Sequence, residues 1–85
     1  MFISGYVQGV FFRENTKRKA NSLNVTGWVR NLEDGRVEAV FGGGEQEVKS
    51  MIEFCKHGPP RAAVTNVGVL WEKYTEAYDG FKISF

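Results

Sequence analysis

Cysteine, histidine and any excess of one charge are all scarce in this chain. Cys55 is the single cysteine, so an internal disulfide framework is excluded. With one histidine beside it, His57, no zinc-type ligand cluster exists, and no metal is expected. Eleven basic side chains face ten acidic ones, a formal net charge of +1, so no global field draws the chain to nucleic acid or an acidic membrane surface. No apolar run approaches the ~20 residues needed to span a bilayer. The N-terminus lacks the basic-then-apolar pattern of a secretion signal, which makes cytoplasm the expected compartment. The triplet Asn24-Val25-Thr26 fits a glycosylation sequon, a chance match without secretion. Repeats, low-complexity tracts and linkers are missing as well.

What is present is ordinary globular composition, 42% hydrophobic and 25% charged over 85 residues. That length makes one small domain, residues 1–85. A domain of this size buries roughly 60–65% of its unfolded surface, a thin but sufficient core.

The apolar stretch Phe2 to Val7 suits a strand, with Gly5 lowering its intrinsic preference. From Phe12 the spacing turns helical: Phe12, Thr16, Ala20 and Leu23 share a stripe, and Glu14 and Arg18 form an i,i+4 pair. Asn24 follows as a left-handed helix-closing residue. Val25 to Asn31 and Arg36 to Gly42 read as two strands joined through Asp34-Gly35, a hairpin-turn pair. Gly42-Gly43-Gly44 lacks the lysine and Ser/Thr of a Walker loop and reads as a flexible connector. Val48, Met51, Ile52 and Cys55 mark a second amphipathic helix, ended by Gly58-Pro59-Pro60. Val67, Val69 and Trp71 alternate, as do Phe81, Ile83 and Phe85, and both runs read as strands. The order β-α-β-β-α-β with a final strand predicts an α+β sandwich of two layers.

One junction stands out. Between the first strand and first helix lie Gln8, Gly9, Val10 and Phe11, none of the preferred capping type. Arg13 then sits in the first turn, where the helix dipole disfavours a cation. Convergent N–H groups at such a start, with a glycine for the turn and a guanidinium alongside, form an anion site. On spacing alone a second reading stays open, in which Gly9 merely turns the chain and Arg13 is a solvated surface residue. Asn31 is likewise either a turn initiator or a functional amide. Cys55 reads as core packing, His57 as a cation suited to a helix C-terminus, and Lys17, Arg18 and Lys19 as a solvated face. Trp28, Trp71, Tyr74 and Tyr78 are not interleaved with basic residues as a nucleic-acid platform requires.

The segments "GYVQGVFFR" (Gly5 to Arg13), "GWVRNLEDGRVE" (Gly27 to Glu38), "GPPRAAV" (Gly58 to Val64) and "FKISF" (Phe81 to Phe85) together resemble the acylphosphatase family, in its stand-alone form. The resemblance implies a ferredoxin-like fold: an antiparallel sheet with both helices on one face. It implies hydrolysis of small acyl phosphates to a carboxylate and inorganic phosphate, by a monomer, without cofactor, metal or covalent intermediate. Inorganic phosphate is then both product and inhibitor. By position, Gln8, Gly9, Val10, Phe11 and Phe12 with Arg13 supply the phosphate cradle, and Asn31 holds the attacking water. Three features depart from the family pattern. Fewer residues precede the first strand, which is expected to be short. Phe11 stands where glycine is frequent, and Asn24 where the helix-ending residue is commonly glycine. A binding module of the same fold without turnover is the competing expectation, and Arg13 with Asn31 argues for catalysis. A ferredoxin-like RNA binder lacks its aromatic strand motif here.

Overall fold

A computed structural model describes residues 1–71 and 79–84. The elements run β1 (Phe2–Tyr6), α1 (Phe12–Ser22), β2 (Thr26–Asn31), β3 (Val37–Gly42), α2 (Glu45–His57), β4 (Ala63–Gly68) and β5 (Phe81–Ser84). The five strands form one sheet in the order β4-β1-β3-β2-β5.

The two apolar helix stripes are buried as their spacing requires. Phe12, Thr16 and Ala20 of α1, and Val48, Met51 and Cys55 of α2, face inward. Of these, Phe12, Ala20, Met51 and Cys55 join one core with Ile3 and Val7 from the first strand region, Val29, Val37, Ala39 and Phe81. The larger apolar ones, such as Phe12, Ile3, Met51 and Val29, contribute about 1.5–3 kcal/mol each when fully buried. Thr16 is a buried polar residue, and its hydroxyl donates to the Phe12 carbonyl one turn back (2.7 Å), which satisfies it. α1 closes as the sequence suggests, with Asn24 in the left-handed region (φ 56°).

The opposite sheet face mixes aromatic and charged side chains. Arg30 on β2 pairs across the ladder with Glu38 on β3 (2.7 Å) and stacks over Trp28. Such cross-strand pairs hold the register of neighbouring strands. Gly27, opposite Phe41 in that ladder, has φ 134°, and a Cβ there would collide with the Val40 carbonyl oxygen. Here only glycine fits.

Two expectations need correction. The sheet is antiparallel across β4, β1, β3 and β2, but β5 pairs with β2 in parallel, so the whole sheet is mixed. Direction explains it: β4 runs against β1, and a strand returning from β4 runs with β1 and β2. Placed beside β2 at the far edge, it is parallel to it. The alternation Val67, Val69, Trp71 also does not make one strand. β4 ends at Gly68 because its partner β1 begins at Phe2, which pairs with Gly68. Beyond it Leu70 and Trp71 are 71% and 60% exposed. Tyr74, Tyr78 and Phe85 lie outside the described residues. Of Gly42 to Gly44, expected as a connector, Gly42 is the last residue of β3, and Gly43 and Gly44 lead into α2, with Gly44 as the N-cap whose carbonyl accepts the Val48 N–H (2.9 Å).

Candidate active site

The loop from Gln8 to Phe11 leaves β1 and enters α1 through two left-handed residues, Gly9 (φ 74°) and Phe11 (φ 61°). Glycine takes that conformation freely, whereas a bulky side chain is strained by about 1–2 kcal/mol. Phe11 is the N-cap and supplies no side-chain hydrogen bond. Helix geometry leaves the first-turn N–H groups without an intrahelical acceptor, so this end of α1 presents donors and the positive pole of its dipole.

The loop is anchored at both sides. Val10 and Phe12 are buried, and the Phe12 ring tilts against Phe54 of α2 at 6.4 Å. Gly58, after α2, lies so close to the Phe12 ring that a Cβ there would stand 2.9 Å from it. Two buried anchors thus flank the strained Phe11. Arg13 is half-buried in the first turn of α1.

Gln8 makes the decisive tie. Its Nε2 donates to the Leu32 carbonyl (2.7 Å) and the Arg36 carbonyl (3.0 Å). Both belong to the hairpin joining β2 to β3, and Leu32 directly follows Asn31. Each carbonyl also accepts a backbone bond, Gly35 N–H to Leu32 (3.2 Å) and Leu32 N–H to Arg36 (2.8 Å). The Gln8 amide therefore fills the second lone pair of both oxygens. With its side chain committed to the hairpin, Gln8 leaves only its backbone to face the turn into α1.

Asn31, at the end of β2 opposite Val37, is half-buried. Its Oδ1 is buried and accepts no hydrogen bond among the described residues. An unmatched buried acceptor of this kind costs about 1–3 kcal/mol, and such exceptions call for a reason. The hairpin beside it is stiffened by Asp34, which accepts the Arg36 backbone N–H (3.1 Å) and Arg36 Nε (2.8 Å). The backbone hydrogen bond from Arg36, then its side-chain bond, hold the Asp34 carboxyl below its ordinary value.

The structure thus joins the loop and the Asn31 end of β2 through one side chain. Sequence reasoning singled out Arg13, Asn31 and the loop as candidates but gave the Gln8 side chain no part in joining loop to hairpin, since a loop glutamine has no periodic signature. Cys55 is buried, and burial pushes its thiol up to about 12, so it offers no nucleophile. His57 and Lys17, Arg18 and Lys19 are exposed.

Comparison with known proteins decides the family. The acylphosphatase family model matches residues 1–83. An acylphosphatase from Pelotomaculum thermopropionicum is 51% identical over 83 residues, covering 98% of this chain and 90% of that protein. The chain belongs to the acylphosphatase family. A second acylphosphatase, from Haloarcula marismortui, is 52% identical with the same coverage of both chains. The crystal structure of acylphosphatase from Bacillus subtilis is similar with a TM-score of 0.95 at 36% identity, covering 99% of this chain and 93% of that one. The acylphosphatase likeness spans both the loop and the hairpin, and it makes this chain one of a family of enzymes.

Proposed function

We propose that the chain hydrolyses the carboxyl–phosphate bond of small acyl phosphates. The Gln8 bridge carries this reading, because it holds an anion-attracting helix start against the strand end that bears Asn31. The cradle is formed by backbone N–H groups of the loop Gln8 to Phe12 and by the Arg13 guanidinium. They stabilise the equatorial oxygens of the phosphoryl group, where charge is spread in the transition state. Asn31 has hydrogen-bonding capacity left over and orients a water in line with the departing group.

The water oxygen bonds to phosphorus as the phosphorus–oxygen bond to the acyl group breaks. The carboxylate leaves with the electron pair, and the water's proton passes to a phosphate oxygen. A carboxylate is a good leaving group, so positioning and charge stabilisation suffice without an activated side-chain nucleophile, covalent intermediate or cofactor. The product inorganic phosphate occupies the same cradle and inhibits competitively.

Benzoyl phosphate tests the reading. The folded protein is expected to hydrolyse it and to leave simple phosphate monoesters largely untouched. Loss of benzoyl phosphate no faster than its spontaneous rate would remove the enzyme reading. In isotopically heavy water, the label is expected in phosphate and not in benzoate.

A further inference from the structure

We infer that Phe11 reads the acyl group of the substrate and gives the enzyme a preference for aromatic or extended apolar acyl phosphates. The inference rests on the acyl phosphate reading above and goes beyond it, to the part of the substrate that the phosphate cradle does not touch.

Phe11 has no structural justification where it stands. It occupies the left-handed region at φ 61°, a conformation that suits glycine or asparagine. As N-cap of α1 it provides no capping bond, which serine, threonine, aspartate or asparagine there would supply. The residue is 62% exposed and its ring makes no ring contact among the described residues, whereas Phe12 beside it is 2% exposed and packs on Phe54. A strained, non-capping, solvated phenylalanine contributes little to the fold. Strain of this kind gathers at ligand clamps.

The conformation is nevertheless held. The Phe11 carbonyl accepts two hydrogen bonds from Asn15, one from its backbone N–H (3.1 Å) and one from its side-chain Nδ2 (2.8 Å). The peptide is thus locked to the first turn while Val10 and Phe12 are buried on either side. This arrangement fixes the backbone that carries an exposed apolar ring, on the loop proposed to surround the phosphoryl group. The acyl carbon is one oxygen away from that phosphorus, so it leaves the cradle within reach of the loop's own side chains. An aromatic acyl group can cover the ring and remove its apolar surface from water. An acetyl group is too small to do so.

The test compares kcat/KM for benzoyl phosphate and acetyl phosphate in wild type, Phe11→Gly and Phe11→Asn. Glycine relieves the backbone strain, and asparagine keeps the left-handed backbone while replacing the ring with a polar group. In both variants the benzoyl-to-acetyl ratio is expected to fall about tenfold, the low end of what a missing apolar contact costs in a substrate pocket. A ratio equal to wild type in both variants overturns the inference, even if both rates drop together. A fall with glycine alone also overturns it, because loop loosening then explains the change. Wild-type protein that is folded and hydrolyses neither substrate overturns the acyl phosphate reading itself, and this one with it.

Discussion

At the scale of single residues, the proposed site divides into groups that would meet substrate and groups that hold them. Arg13→Ala is expected to lower kcat at least ~10²-fold, the scale of losing one oxyanion donor. Asn31→Ala is expected to lower kcat with little change in the inhibition constant of inorganic phosphate; equal losses in both would contradict a water-positioning role. Gln8 acts one step back. Gln8→Ala removes two hydrogen bonds, but each hairpin carbonyl keeps its backbone partner, so the stability loss is about 1–2 kcal/mol rather than that of two orphaned groups. Gln8→Glu is worse for the site, because a carboxylate cannot donate to two carbonyl oxygens and its charge opposes phosphate. The expected signature is a lower kcat for Glu than for Ala in the same assay. None of this was legible in the Gln8 position itself. From spacing Asn31 reads as a turn residue, and only the family resemblance suggests a functional role for it. Its unmatched Oδ1 is a three-dimensional fact.

Elements were easier to read than residues, and the exceptions share a cause. Both helices follow the apolar spacing, and the Asp34-Gly35 turn joins β2 to β3 where the pair predicts a hairpin. What alternation cannot tell is where a partner strand ends. Val69 and Trp71 continue the pattern of Val67, but β1 has run out, so β4 stops at Gly68. Nor can alternation give direction, which is why β5 emerged as the parallel strand. The hairpin offers a pH test. Asp34 has a folded-state pKa below its unfolded value, so its contribution is present above the ordinary carboxylate range and is lost as pH falls through that range and below. Asp34→Asn is therefore expected to lower stability near neutrality and to flatten the decline of wild type below about pH 4, measured by urea unfolding at several pH values. In α2, Cys55 is expected to ignore a thiol reagent at pH 8 in the native protein and to react fully in denaturant. Reaction at equal rates in both states would show that α2 opens readily.

For the molecule as a whole, the proposed cradle would bind phosphate in the folded state alone. Inorganic phosphate at ten times its dissociation constant is expected to stabilise the chain by about 1.4 kcal/mol. In a domain of this size that raises Tm by several degrees. Chloride at matched ionic strength is the control, and Arg13→Ala is expected to shrink the rise. A Tm that responds to both anions alike would mean general salt screening in place of a site.

The Gln8 bridge also ties activity to the order in which the chain assembles. Its donor precedes α1, its acceptors flank a turn 24 and 28 residues later, and β3 lies between β1 and β2. The helices can form from local contacts, but the bridge exists only after β1 has found β3 across that separation. During refolding, helical signal therefore returns before hydrolysis does. The enzyme's own turnover becomes a clock for the closing of its sheet.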